Sequence, residues 1–294
     1  MKKSNAYKVF TVINTIIMIL VVVVTLYPFI NIIARSFSTE TAVLSGDVSI
    51  WPKGWNVDAY KMVIYTPLFA RGYFNTILYT FISVVVCLFM TAICAYPLSK
   101  KDLPGRPILV KFIMFTMFFS GGMIPNFLLV KTLGMIDTVW AITLPGAIGV
   151  WNVLIMITFF QGLPESLEEA GRVDGLSTIG VLRYIVVPLS KPIFATMVLF
   201  FAVGQWNNWF GPLIYFNSND KYPITLFLRN ILMSAQNLST SASDINFMLT
   251  NQSIAPSESL KAATIVLVTT PILVLYPFVQ KYFVKGMLIG SVKG

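Results

Sequence analysis

Six apolar stretches, each longer than 20 residues, do most to restrict how this chain can fold. An α-helix of about 20 apolar residues crosses the hydrocarbon core of a bilayer, which is about 30 Å thick. Charged residues make up 11% of the chain, against about 25% in a soluble domain. The sequence therefore predicts an all-α integral membrane protein with six transmembrane helices, over residues 9–34, 73–98, 109–130, 139–160, 193–215 and 260–282.

The basic residues between these runs indicate how the chain is oriented. An even number of spans places both termini on one side, and that side carries most of the Lys and Arg in its short loops. Because such residues remain in the cytoplasm, we expect both termini and the 161–192 loop to be cytoplasmic. These flanking residues also account for the net charge of +9. With no basic run that interleaves aromatics, we expect no nucleic-acid partner.

Several kinds of chemistry are excluded by residues that the chain lacks. It has no histidine, which removes Ser-His-Asp and Cys-His catalysis and histidine zinc sites. It has no GxxxxGK[ST] segment, so any ATP and its magnesium must bind another chain. Cys87 and Cys94 lie two helical turns apart, about 10 Å, too far for a disulfide. We expect no catalytic residue, no cofactor and no metal on this chain.

A polar segment at 161–192 separates the fourth and fifth apolar runs. Unpaired charge is costly in hydrocarbon, so this segment must lie outside the bilayer. Pro164 and the acids after it are typical of the first turn of a helix, in which Glu168 and Glu169 can pair with Arg172. Asp174-Gly175 predicts the end of that helix, and Ser177 the cap of a second helix that ends at 187–188.

The same segment carries a spaced pattern, which reads Glu169-Ala170-Gly171, three residues, Gly175, nine residues, Ile185, then Val187-Pro188. It resembles the EAA loop of binding-protein-dependent ABC importer permeases. Two positions depart from that pattern, since Gly171 replaces the second Ala and Val187 replaces Leu. Both changes are small or conservative, and the spacing is intact.

This resemblance implies a type I ABC importer transmembrane fold with a cytoplasmic coupling helix, in the bacterial cytoplasmic (inner) membrane. It implies four kinds of partner: a second homologous permease subunit, two ATP-binding cassette subunits that hold ATP and Mg, an extracellular sugar-binding lipoprotein and a carbohydrate substrate. The residues that it assigns to ATPase coupling are Leu167, Glu168, Glu169, Ala170, Gly171, Asp174 and Gly175. The alternative is an amphipathic connector lying on the bilayer, where basic rather than acidic residues are usual.

Amide and aromatic side chains within the apolar runs are candidates for a solute path. Amides in a membrane span usually face a cavity or a neighbouring helix, and sugars bind amides and aromatic faces. Helical spacing would place Gln205 and Trp209 on one face, with Asn208 close to it. Interfacial aromatics and helix–helix contacts are the structural alternatives. The candidates for the path are Asn126, Trp151, Asn152, Gln205, Asn207, Asn208 and Trp209.

The Trp-Asn segment, the Asn75-Thr76 pair and the C-terminal Lys285-Gly286 also resemble carbohydrate-uptake permeases of the maltose type, and within them an LplC/YtcP-like group. That group implies an oligosaccharide, pectin-derived or uronate-rich. We divide the chain into residues 1–71, with the first span and an extracellular loop, a transmembrane domain at 72–282, and a cytoplasmic tail at 283–294. A stand-alone secondary transporter or channel for a polar solute is the alternative function, although acids that could couple ions are absent from the middle of the spans.

Overall fold

A computed structural model describes the backbone over residues 5–234 and 257–291, and side chains over 7–233 and 257–277. The described residues are helical, with short 3₁₀ and π turns and no β-strand among them. This confirms the all-α prediction. Contacts divide the chain into two compact units: residues 1–70 with 227–270, and residues 71–226 with 271–294.

The first unit begins with the long helix α1, Asn5–Ser36. Two short helices follow it, α2 (Glu40–Leu44) and α3 (Asp58–Ile64), in a connection that the sequence left without regular structure. A small core of Ala34, Val43 and Val48 joins this connection to the end of α1.

The last helix, α15 (Glu258–Ser291), begins in the same unit. Its first turn is capped twice, because Ser257 accepts a hydrogen bond from the Leu260 amide at 3.1 Å and the Glu40 carboxylate accepts from two others. Those two are the amides of Glu258 at 2.8 Å and Ser259 at 3.0 Å. The helix runs nine residues past the end predicted for the sixth span, so residue 283 lies inside it.

In the second unit, α4 (Pro67–Ser99) is one continuous helix, and the next two predicted spans are broken. Helices α5 (Arg106–Phe118) and α6 (Met123–Thr132) meet at 111°, where Gly122 has a φ of +89°. The segment Val139–Gly146, made of α7 (Val139–Thr143) and a 3₁₀ turn that contains Pro145, meets α8 (Val150–Gln161) at 54°. Gly122 therefore lies at the first break, and Pro145 lies just before the second, as is usual for kinks in helices.

The polar segment contains α9 (Glu165–Val173), α10 (Thr178–Val181), a π turn (Leu182–Val186) and α11 (Val187–Leu189). After an 85° bend comes α12 (Lys191–Trp206). The fifth predicted span is not continuous to residue 215, because α12 ends at Trp206 and α13 (Phe210–Tyr215) starts after a gap. The sequence also predicts a surface helix at 224–235, and helix α14 (Ile224–Ser234) forms there. Ile224 and Leu226 are completely buried, however, so the helix is not confined to the surface.

The main core of the second unit joins the polar segment to the membrane helices. It brings together buried residues of α4, α8 and α12 with Val181 and Val186, which are both completely buried. Phe160 packs edge-on against Tyr96 at a ring distance of 6.3 Å. The polar segment therefore shares one core with three apolar helices.

Within the described residues, three helices are long and apolar enough to cross a membrane: Tyr7–Ser36, Pro67–Ser99 and Glu258–Pro277. The number rises to as many as six if each bent pair of helices is one span. The second of them begins at Pro67, six residues before the predicted start, so Asn75 and Thr76 lie inside α4 rather than at its opening.

Candidate coupling surface and solute path

Helix α9 has one face turned toward its own protein and another left exposed. Glu168 and Gly171 are buried, while Leu167, Ala170 and Val173 are exposed. Residues three apart lie on one side of a helix, so these three form an apolar stripe. One face of α9 therefore packs into the protein core, while the apolar residues of its other face stay exposed.

The end of α9 is a Schellman motif, in which two amides reach back to free carbonyls. The Gly175 amide donates to the Arg172 carbonyl and the Leu176 amide to the Gly171 carbonyl, both at 3.0 Å. Gly175 has a φ of +83°, a conformation in which a side chain is strained. Ser177 then caps α10 by accepting from the Gly180 amide at 3.2 Å, as its position predicted.

Gly171 is one of the two positions that depart from the EAA pattern, and the structure shows what a side chain there would contact. A Cβ atom added there would lie 2.3 Å from Cδ1 of Ile185, the isoleucine of the same pattern. The absence of a side chain lets α9 pack directly on the π turn. An Ala at this position would require Ile185 to move.

Glu168 is paired inside the protein. Its carboxylate forms an ion pair with Lys100, accepts a hydrogen bond from Tyr96 Oη at 3.2 Å, and has a side chain only 9% exposed. The Lys100 ammonium also lies 4.7 Å from the centre of the Tyr96 ring. The partner of Glu168 is thus Lys100, and the possible pair of Glu168 with Arg172 is not among the ion pairs of the described residues. The expectation that Glu168 faces an ATPase does not agree with this geometry.

The exposed apolar surface continues beyond α9. Val173 is 87% exposed, and Ile179 and Tyr184 are similarly uncovered. Glu169, Asp174 and Arg172 lie on the exposed side and provide charges around these residues. We name the set Leu167, Glu169, Ala170, Val173, Ile179 and Tyr184 the α9 surface.

A polar cleft of 290 Å³ lies between α9 and the loop that follows α4. Its lining mixes charges of both signs, among them Lys101 and Arg172 with Glu165 and Glu169. The described residues contain no group of three or more His, Cys, Asp or Glu placed to hold a metal ion.

The candidate path residues at 205–209 lie where α12 stops, so they share no continuous helical face. Asn207 donates to the Val203 carbonyl at 2.9 Å. Asn208 accepts from the Gly211 amide at 3.1 Å and donates to Gln205 Oε1 at 3.4 Å. The Asn208 side chain thus takes the place of a helical carbonyl as acceptor for the Gly211 amide. Because α12 ends at Trp206, the predicted common face of Gln205 and Trp209 is wrong.

The other path candidates are not brought together by a hydrogen bond or ring contact in the described residues. Asn126 is exposed near the start of α6, and Trp151 is 62% exposed near the start of α8. Asn152 is half-buried and lies close to Gly149, where an added Cβ would be 3.2 Å from its amide nitrogen.

Comparisons with known proteins agree with this architecture. Residues 64–289 match the family described as "Binding-protein-dependent transport system inner membrane component". The chain belongs to this family. It is 44% identical over 294 residues to protein LplC of Bacillus subtilis (strain 168), covering 100% of this chain and 98% of that protein.

Two further relatives of this family member are similar over almost their full length. The polygalacturonan/rhamnogalacturonan transport system permease protein YtcP of Bacillus subtilis (strain 168) is 41% identical, over 91% of this chain and 92% of YtcP. A chain from the crystal structure of a bacterial ABC transporter involved in the import of the acidic polysaccharide alginate matches with a TM-score of 0.85 and 33% identity. That match covers 96% of this chain and 99% of the other. The resemblance drawn from the EAA pattern is confirmed.

Several residues of this permease that organise the site have no local signal in the sequence. Lys100 and Glu168 are 68 residues apart. Asn75, which stands out in the sequence only as part of the Asn75-Thr76 pair, donates to the Asp220 carbonyl at 2.8 Å.

Asp137, with a φ of +64°, forms an ion pair with Lys221 at 2.6 Å. That hydrogen bond from the Lys221 ammonium lowers the pKa of the Asp137 carboxyl, and burial opposes it. Charge pairs at such separations can be found only in the folded chain.

Proposed function

We propose that this permease is the transmembrane subunit of an ATP-driven importer of oligosaccharides. It forms half of the translocation path and receives the motion of an ATPase through α9, the coupling helix. The observation that carries the proposal is the α9 surface, which is apolar, ringed by charge and uncovered although its other face is packed into the core. An exposed apolar patch rimmed by polar residues is typical of a protein interface.

The proposal includes six spans with both termini and α9 in the cytoplasm. Closure of two ATP-binding cassette subunits, which hold the ATP and Mg, would move α9 and tilt the helices packed on it. An extracellular sugar-binding lipoprotein would dock on the opposite side, and a second homologous permease would complete the path. This chain would bind no nucleotide itself.

The substrate that we propose is a uronate-rich oligosaccharide. Support comes from YtcP, named for polygalacturonan and rhamnogalacturonan, and from the similar transporter of the acidic polysaccharide alginate. Neutral side chains of this permease would contact the sugar. They are Asn126, Trp151, Asn152, Gln205, Asn207, Asn208 and Trp209.

Affinity purification of the full chain from its native membranes in mild detergent tests this function. We expect to recover an ATPase with a Walker motif, a second EAA-loop permease and a sugar-binding lipoprotein. Glu169→Lys should abolish transport and recovery of the ATPase, because it reverses a charge at the α9 surface. The matched control is Asp47→Lys, an exposed acid outside the 161–192 segment, which should change neither.

Two outcomes would contradict the proposal. Recovery of the chain alone, under conditions that keep other membrane complexes intact, would favour a stand-alone secondary transporter or channel. Normal uptake by the Glu169→Lys variant would show that α9 is not the coupling helix.

A further inference from the structure

The connection between α1 and α4 contains a short aromatic segment, residues 48–56, that the proposed function does not use. Its sequence is VSIWPKGWN, in which Lys53 is the one charged residue. We call it the 48–56 segment. All of the contacts that position it lie within the first structural unit.

The beginning of the segment is tied to the side of α1. The Asn31 side-chain amide donates to the carbonyl of Val48 at 3.3 Å and to that of Ser49 at 2.8 Å. Asn31 lies five residues before the end of α1, so the segment folds back along the helix.

The rest of the segment is held against the residues that follow α1. The Lys53 amide donates to Ser38 Oγ at 3.0 Å, and its carbonyl accepts from the Thr39 amide at 3.2 Å. Gly54 is required there, since its φ is +63° and an added Cβ would lie 2.7 Å from Thr39 Oγ1. The Trp55 ring stacks on Phe37, with centroids 5.0 Å apart and planes 7° from parallel.

This fixed backbone presents its large side chains outward. Trp51 is 81% exposed, Trp55 is 70% exposed and Ile50 is 50% exposed. Lys53 is exposed between the two tryptophans. A well-held loop that keeps two tryptophans uncovered is suited to contact with something outside the chain.

The position of Asn31 along α1 indicates the depth of the segment. Lys8 ends the polar start of the chain, and the 20 residues from Val9 to Pro28 rise about 30 Å, the thickness of the hydrocarbon core. Asn31 lies three residues further, about 4.5 Å beyond it, within the headgroup layer of about 5–7 Å. Trp51 is two residues from Ser49, so its backbone lies within about 7 Å of that level.

We propose that Trp51, Lys53 and Trp55 anchor this connection in the headgroup layer of the lipid bilayer. Tryptophan rings prefer that layer, and a lysine between them can reach lipid phosphates. The depth rests on α1 alone; only the assignment to the outer leaflet rests on the proposed function.

Spin labelling of the full chain in lipid nanodiscs tests the anchor. The label is placed at Ile50→Cys after replacement of Cys87 and Cys94 by Ala, and the matched control label is at Ser45→Cys, an exposed polar position of the same connection. We expect the Ile50 label to collide several-fold more with oxygen than with a water-soluble nickel chelate, and the Ser45 label to show the reverse. Adding Trp51→Ala and Trp55→Ala should move the Ile50 label toward the nickel chelate.

Three results are informative. Equal access of nickel to both labels would overturn the anchor. Nickel access that disappears only when the purified sugar-binding partner is added would also overturn it and assign the segment to protein docking. If nickel confined to the outside of sealed, oriented vesicles fails to reach Ser45 while the Ile50 label remains in lipid, the proposed orientation fails and the anchor stands.

Discussion

The ion pair between Lys100 and Glu168 allows a prediction with a definite order of effects. Removing one partner of a buried pair costs about 3–5 kcal/mol, because the other charge stays buried and unpaired. The Glu168 side chain is 9% exposed and that of Lys100 is 22% exposed. Lys100→Met, which strands the more buried carboxylate, should therefore cost about 3 kcal/mol, the low end of the range.

Glu168→Gln should cost less, because the stranded Lys100 ammonium can reach water and the new amide oxygen can still accept from Tyr96 Oη. The double variant Glu168→Gln with Lys100→Met should cost less than Lys100→Met alone, since neither charge is then unpaired. Effects of contacting residues are not additive, and this recovery is the sign that the two groups act as a pair.

Amide hydrogen exchange of residues 165–173, measured by mass spectrometry on the purified complex in nanodiscs, follows the opening of α9. A loss of about 3 kcal/mol corresponds to exchange faster by roughly 150-fold. Glu165→Gln is the control, because Glu165 is an exposed acid of the same helix.

Two results would refute the reasoning on the Lys100–Glu168 pair. If Lys100→Met changes exchange no more than Glu165→Gln, or if the single effects simply add in the double variant, the pair does not hold α9. The ATPase should still co-purify with the Lys100→Met variant because the α9 surface is unchanged. Its loss would place Glu168 in the docking surface.

Two further predictions concern other parts of the chain. Asn208→Ala should impair transport in an assembled complex, because it removes a proposed sugar contact as well as the acceptor for the Gly211 amide, a bond worth about 1 kcal/mol. Asn208→Ser keeps an acceptor for that amide but loses the carboxamide, so its uptake should stay impaired; recovery of most of the uptake would give Asn208 a structural role instead. Burial raises the pKa of Glu40, but the hydrogen bonds from the Ser259 and Glu258 amides outweigh it and leave that pKa lowered. The capping of α15 by Glu40 should thus be fully present above about pH 4.3, the unfolded-state pKa, and be lost as the pH falls further. Limited proteolysis at residues 257–261 would report that loss. The Glu40→Gln variant has no carboxylate to titrate and should show no such pH dependence.

Local signals in the sequence were sufficient for most of the helices. The apolar runs are helical, and Gly175 with Ser177 ends α9 and caps α10 as predicted, because these signals act within a few residues of themselves. The break after Trp206 was missed because Asn208 competes with the helix through its side chain. Because residues 193–215 are so apolar, hydrophobicity alone predicts that the helix continues to residue 215.

The pairing of Glu168 could not be predicted for a different reason. Within the helix, Arg172 is an available partner at a spacing of four, and this local pairing is worth about 0.2–0.5 kcal/mol. Lys100 becomes available only when α4 and α9 are packed together, and a buried contact then outweighs the local one. Tertiary packing therefore determines which residue pairs with Glu168, and the sequence of the helix alone does not reveal it.

The burial of Glu168 supports the proposed coupling role of α9 over a connector that lies on the bilayer. A helix lying on lipid would place its apolar residues in the bilayer and its acids toward water. Here an acid lies inside the protein, fixed to the end of α4, while Leu167, Ala170 and Val173 remain outside beside the exposed Glu169. Acidic residues repel anionic headgroups, so an outward face that combines apolar and acidic side chains is suited to another protein. Because Glu168 ties the opposite face of α9 to the end of α4, we propose that a force applied to the outward face is passed on to that helix.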